Sequence, residues 1–207
     1  MSLILRPDIP ASLTPRITQV AAVGVAKTLW GLGVEARIKW PNDLLVLKPG
    51  EGEGRKICGI LAESSVHNVP VAAKGPGGSD IGDHRLDFVI LGVGLNANLD
   101  PEDLNVLDRE VATLRSELGH DVDLVQLLGC LLSSLNAELE KDFGAVLNGW
   151  RTLNCTLGKS VRVRRFGEVL EGRAVDLTPE GALLLETSGD TVELFEGEVE
   201  HLGQGGA

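Results

Sequence analysis

The chain has 207 residues, 43% of them hydrophobic and 24% charged, which places it among soluble globular proteins with room for a real core and excludes a disordered chain. Its formal net charge of −11 leaves no general excess of Lys and Arg, which argues against a broad nucleic-acid footprint. Its three cysteines, Cys58, Cys130 and Cys155, are odd in number, widely spaced and set in apolar sequence, so they read as buried free thiols of a reducing, cytoplasmic setting and not as a disulfide frame or zinc site. No segment has the apolar length of a membrane span, and Met1–Pro7 is too short for a signal peptide.

In chain order, Leu3–Arg6 reads as a strand stopped by Pro7 and Pro10. Thr14 and Pro15 then supply an N-cap and a first helical position. Ile17, Val20, Ala21, Gly24, Val25, Thr28, Leu29 and Leu32 recur at helical spacing on one face, and Gly31 and Gly33 end the helix. Ala36–Trp40 is the next strand, and Pro41-Asn42 turns into Leu44–Leu47. Residues 49–54 form a hairpin tip, and Lys56–Val66 returns as a strand apolar enough for burial on both faces. Residues 69–85 read as a mobile surface loop. Asp87–Val93 is a strongly apolar strand leading into Gly94-Leu95-Asn96, and Pro101–Glu117 holds one or two short helices. Asp123 and Gln126 form a capping box for a helix whose face carries Leu124, Leu127, Leu128, Leu131, Leu132, Leu135 and Leu139. Phe143–Leu153 is a second helix beside it. Past Leu157 the texture changes to short alternating runs separated by turn residues, the pattern of a small antiparallel barrel of about five strands. The domains expected are 1–156 and 157–207.

The stretch Lys39-Trp40-Pro41-Asn42-Asp43 and the stretch Lys56-Ile57-Cys58-Gly59-Ile60-Leu61 place two lysines, an amide and a carboxylate at the ends of two strands. Polar groups held on strand ends can converge on one small anion at low entropic cost. A glycine inside a bulky strand marks close approach by a ligand or another backbone, and Gly59, Gly92 and Gly94 all fit that description. The bland alternatives are an ordinary turn and, for the paired glycines, a bulge or tight packing. Gly52-Glu53-Gly54 enters a strand and not a helix, so it is a hairpin and not a phosphate loop. The four histidines stand singly, without metal-ligand spacing, and no metal site is expected.

Three ordered motifs, Lys39–Leu44, Arg55–Leu61 and Gly92–Asn96, together resemble the catalytic domain of biotin protein ligases. The tail agrees: Gly181–Glu186 and Gly197–Val199 resemble the small barrel that follows that domain, and Trp150–Asn154 resembles the joint between the two. The resemblance implies an α+β fold, a mixed β-sheet flanked by helices in a class II synthetase-like core, followed by a small SH3-like β-barrel. It implies a ligase that joins biotin to ATP as biotinyl-5′-AMP and moves biotin to a lysine of a biotin carboxyl carrier protein, with Mg²⁺ accompanying ATP. By the same resemblance Lys56 and Asp43 are catalytic; Lys56, Gly59, Leu61, Gly92 and Gly94 bind biotin; and Lys39, Asn42 and Asn96 serve the nucleotide.

Two departures shape the expectation. The hairpin between Asp43 and Lys56 is longer than in the family. The family also carries, upstream of the first motif, a glycine–arginine loop that closes over biotin and ATP, and none stands between Met1 and Lys39. The chain is therefore expected to begin partway through the domain, with weak adenylation or none, and with a sheet edge through which a homodimer could form. No helix-turn-helix is present, so operator binding is not expected. The rival readings are a non-catalytic binding or dimerising remnant of the fold, and a lipoate-type acyl ligase.

Overall fold

A computed structural model describes residues 1–48, 54–66, 85–104 and 111–202. The expected hairpin tip over 49–53, most of the 69–85 loop, His67 and His84 lie outside the described residues.

The first sheet has the order β1-β5-β4-β3-β2, from β1 (Ser2–Leu5), β2 (Ala36–Lys39), β3 (Asp43–Val46), β4 (Arg55–Val66) and β5 (Leu86–Leu95). Every ladder in it is antiparallel, where a mixed sheet was expected. Among the described residues, parallel pairing is confined to isolated bridges, Ile38 with Asn154 and Lys56 with Val111. Both are made by irregular chain running beside a strand, which no strand pattern announces.

Helix α1 (Thr14–Gly31) lies across β2 to β5 and is covered in turn by α4 (Leu124–Leu139) and α5 (Phe143–Leu153). Sandwiched in this way it is buried far beyond the single predicted stripe, with Ala22, Val23 and Ala26 at 0% exposure. Its start differs from expectation. A 3-10 turn at Ala11–Leu13 precedes it, so Leu13 occupies the cap and the Thr14 hydroxyl donates backwards to the Ala11 carbonyl at 2.8 Å. Two shorter helices follow the sheet, α2 (Pro101–Leu104) and α3 (Leu114–Leu118), the latter capped by Thr113 and Ser116. The Asp123 carboxylate caps α4 by accepting from the amides of Val125 and Gln126. Of the seven leucines on the expected α4 face, only Leu127, Leu131 and Leu135 are buried; Leu124, Leu128, Leu132 and Leu139 stay exposed. The apolar arc is wider than the single helix α1 can cover.

Among the described residues, helices cover one face of the sheet only. The distal half of β4 is not buried on both faces as expected: Leu61 is 57% exposed, and Glu63 and Ser64, on opposite faces of the strand, are both exposed. That uncovered face carries the site described below. Among the described residues no helix is long and apolar enough to cross a membrane.

The second sheet, β10-β6-β7-β8-β9, is built from β6 (Ser160–Arg165), β7 (Glu168–Leu177), β8 (Leu183–Glu186), β9 (Thr191–Leu194) and β10 (Glu198–His201), all antiparallel. Alternation places Val161, Val163, Leu183 and Leu185 inside while Arg162 and Arg164 face out and pair with Glu200. The two sheets share one continuous hydrophobic core. Polar contacts seal the junction. Arg151 of α5 grips Asp176 at 2.6 Å, Arg16 of α1 donates to the Pro179 carbonyl, and Gln19 donates to the Gly181 carbonyl.

Candidate active site

The register of the first sheet assembles the site. Lys39 pairs with Asp43, Asp43 with Gly59, and Gly59 with Gly94, so one transverse row crosses four strands on one face. The adjacent row brings Leu61 opposite Gly92, and Gly92 opposite Ser2. Strand alternation alone would aim Lys56 at the opposite face from Gly59, because three positions separate them. A β-bulge corrects this. Leu44 opposes Cys58 but Leu45 opposes Lys56, which leaves Ile57 unmatched and turns Lys56 onto the face of Asp43.

There the Lys56 ammonium donates to Asp43 Oδ1 at 2.6 Å, with the two side chains 38% and 21% exposed. Gly59 lies beneath the pair, and a Cβ built on it would stand 3.1 Å from Lys56 Nζ, 3.2 Å from Cε and 3.6 Å from Asp43 Oδ1. Gly92 and Gly94 behave differently. Their nearest neighbours to an added Cβ are the carbonyl oxygens of Leu61 and Gly59, each 3.7 Å away, so a side chain would fit against the protein but would fill the space above the strand. Together these positions form the floor of an open cleft of about 420 Å³, rimmed by Met1, Asn42, Leu61 and Val93.

Asn42 is locked to β4: its side-chain amide donates to the Ile60 carbonyl at 2.8 Å, and its own carbonyl accepts from the Ile60 amide at 2.9 Å. Asn96 is tied down more tightly and does not line the cleft. Its side-chain amide donates to the carbonyls of Ala112 at 3.0 Å and Lys56 at 3.3 Å, and its backbone bonds Ile57 and Leu114. It thereby braces the start of β4 beside Lys56. Lys39 sits at the β2 end of the transverse row, outside the cleft lining, and its charge bears on Cys155 and His201 at the junction with the second sheet.

The thiol of Cys58 faces away into the core. Burial, with the Asp43 charge adding to it, pushes its pKa up to about 12 against the opposing pull of Lys56, so it is no nucleophile at neutral pH. Burial likewise pushes Cys155 to about 11. Cys130, expected to be buried, is exposed on α4. The sequence pattern pointed to most of the cleft but not to the bulge or to the contributions of Met1, Ile60 and Val93. The bulge had no signal, because Ile57 and Cys58 are both apolar and satisfy either face. Among the described residues no three His, Cys, Asp or Glu side chains converge as a metal site.

Residues 1–73 match the profile of the Biotin/lipoate A/B protein ligase family, and residues 156–202 match that of the Biotin protein ligase C terminal domain. The chain carries a biotin protein ligase catalytic-domain segment followed by the C-terminal domain of that family. It is 30% identical to the Bifunctional ligase/repressor BirA of Bacillus subtilis over 206 residues, 97% of this chain and 57% of that protein. Over 173 residues, 81% of this chain and 54% of the relative, it is 31% identical to the biotin–[acetyl-CoA-carboxylase] ligase of Mycobacterium tuberculosis. The chain thus spans little more than half the length of these relatives. Its fold matches the biotin protein ligase of Aquifex aeolicus in complex with biotin and ATP, with a TM-score of 0.70 at 22% identity, over 96% of this chain and 75% of that one.

Proposed function

We propose that this chain carries the floor of a biotin-adenylating site and acts as a biotin–[biotin carboxyl carrier protein] ligase in the cytoplasm, with residues 1–156 as the catalytic core and 157–207 as the appended barrel. The observation that carries the reading is the Lys56–Asp43 pair held over Gly59 in an open cleft that Gly92 and Gly94 also line.

The chemistry explains the residue types. In the first step a carboxylate oxygen of biotin attacks the α-phosphorus of ATP, and pyrophosphate leaves with the bonding electrons. Two anions must meet, and like unit charges 4 Å apart repel by about 4 kcal/mol at an effective dielectric near 20. The Lys56 ammonium stands where it offsets the carboxylate and the charge growing on the phosphate oxygens. Gly59, Gly92 and Gly94, with Leu61 at the rim, leave a slot for the biotin ring. Asn42 and Lys39, at the β3 and β2 end of the row, face the nucleotide side. Asn96 serves that side through the backbone of β4. Mg²⁺ enters with ATP as substrate: Asp43 is the sole acidic side chain on the described lining, so phosphate oxygens supply most of its ligands.

In the second step the amine of the carrier lysine attacks the acyl carbon of biotinyl-5′-AMP, and AMP leaves. Asp43 takes the proton the amine sheds. Paired with Lys56 its Oδ1 is occupied; when Lys56 turns to the acyl phosphate, Oδ1 is released to accept. The net charge of −11 offers no broad cationic face for nucleic acid, so the reading takes up the ligase half of the relatives' names and not the repressor half.

The test is calorimetric titration with biotinyl-5′-AMP, followed by incubation with biotin, MgATP and a carrier domain under mass spectrometry. Binding that weakens at least about tenfold in Lys56→Ala is expected. Absence of binding by the unaltered chain would overturn the reading in favour of a non-catalytic remnant, and acylation with lipoate in preference to biotin would redirect it to the other branch of the family.

A further inference from the structure

We infer that Gly59 is a positioning residue for Lys56: its missing side chain is the seat on which the ammonium rests against Asp43, a role separate from leaving room for biotin. Three glycines floor the cleft, yet only one of them is pressed by the catalytic pair. A Cβ at Gly92 or Gly94 would meet nothing nearer than 3.7 Å, whereas a Cβ at Gly59 would meet Lys56 Nζ at 3.1 Å and Cε at 3.2 Å. The contact at Gly59 is tighter than side chains tolerate without movement, and the mobile partner is the lysine head, not the backbone.

The bulge explains why the space is needed. By turning Lys56 onto the face of Gly59, it folds the lysine stem back over its own strand toward Asp43, which lies opposite Gly59 in the ladder. The direct line from the stem of Lys56 to the Asp43 carboxylate passes over position 59. A methyl group there meets Asp43 Oδ1 at 3.6 Å, an ordinary contact, so it presses on the lysine head alone, which must give by a few tenths of an ångström and shift off its 2.6 Å contact. Side chains that must hold a reacting charge within about half an ångström need such a seat.

A double-mutant cycle separates this role from ligand clearance. Affinity for a non-hydrolysable biotinyl-adenylate analogue is measured by titration in the unaltered chain, Gly59→Ala, Lys56→Ala and the double variant. Gly59→Ala is expected to weaken binding at least about tenfold when Lys56 is present and less than about threefold when it is absent. Gly92→Ala, which touches no part of the pair, is expected to cost the same in both backgrounds. Equal losses for Gly59→Ala in both backgrounds would overturn the inference and leave Gly59 as part of the slot alone. Failure of Gly59→Ala to fold, rescued in the double variant, would support the clash with Lys56; failure of both would place the defect in the strand and sink the idea.

The binding arm rests on the function proposed above, so a second arm does not use a ligand. The Cε resonance of Lys56, assigned by isotope labelling, is expected to shift on Asp43→Asn in the unaltered chain and to shift clearly less on Asp43→Asn in Gly59→Ala, where the contact is already loosened. An equal shift in both would refute the positioning role whatever the chain is found to bind.

Discussion

A carboxylate that accepts from an ammonium at 2.6 Å is held out of proton-transfer chemistry until the ammonium is drawn elsewhere. That gives Asp43 and Lys56 separable parts in the two steps. Asp43→Asn is expected to slow pyrophosphate release from biotin and MgATP about tenfold, because it unseats Lys56, while single-turnover transfer from isolated biotinyl-5′-AMP to the carrier falls at least about a hundredfold. Equal losses in the two assays would show that Asp43 acts only by holding Lys56. The thiols offer a second check at this scale. Cys58 and Cys155 are buried and pushed up to about 12 and about 11, whereas Cys130 is exposed, so a chromogenic disulfide reagent at pH 7.5 is expected to label one thiol quickly and two only on unfolding. Cys130→Ser should remove the fast phase. The sequence named Asp43, Lys56 and the three glycines, because strand ends and misplaced glycines leave a mark in the residue order. It could not reveal that Lys56 needs a bulge to reach Asp43, since the residues around the bulge are apolar on both faces.

Elements were legible where their boundaries have local chemistry. The α5 limits and the Asp123 cap of α4 follow from caps and breakers, while the start of α1 was displaced by a 3-10 turn that has none. What packs on what was harder to read. Glu138 shows why: its neighbours Asn136, Glu140 and Lys141 suggest a solvated helix end, yet it is 4% exposed and joins α4 to α1 by accepting from Lys27 and Lys141, each at 2.7 Å. Burial pushes its carboxyl up, but the hydrogen bonds from Lys141 and Lys27 outweigh that and hold it below the usual carboxylate range. Its contribution is therefore present above the ordinary glutamate pKa and lost as pH falls through the lower folded value. Glu138→Gln is expected to cost about 1–2 kcal/mol in urea unfolding at pH 7, the low end for a buried pair because both ammonium groups can reach water. The difference from the unaltered chain should shrink below pH 4. A constant difference down to pH 3 would mean that packing, not charge, is what Glu138 supplies.

For the whole molecule, the joint between the sheets was the least legible feature, because it is made by contacts distant in the chain. The Cys155 amide bonds the Ile38 carbonyl, and the Trp40 amide donates to the Thr156 hydroxyl at 3.0 Å, which fixes the β2 end of the transverse row against the second sheet. His201 closes this joint, its ring 3.4 Å from the Thr156 hydroxyl and 3.4 Å from Lys159 Nζ. Burial, reinforced by the charges of Lys159 and Lys39, pushes its pKa down to about 4. The folded joint thus holds a neutral imidazole at pH 7, while the unfolded chain protonates near 6.5. Between those two values the unfolded state binds more protons, so stability falls as pH drops from about 6.5 to about 4 and is indifferent to His201 outside that window. The ring is partly exposed and solvent screens it, so the loss is roughly 1 kcal/mol or less. The Arg151–Asp176 contact across the same joint responds in a lower range: burial pushes the Asp176 carboxyl up, the Arg151 hydrogen bond more than reverses this, and its support is lost only as pH falls below the ordinary aspartate range. Thermal unfolding followed at pH 7 and pH 5 should therefore show a drop in Tm for the unaltered chain that His201→Asn reduces and Asp176→Asn does not. An unchanged drop in His201→Asn would mean that the imidazole is already charged in the fold and that the joint is held by its hydrogen bonds alone.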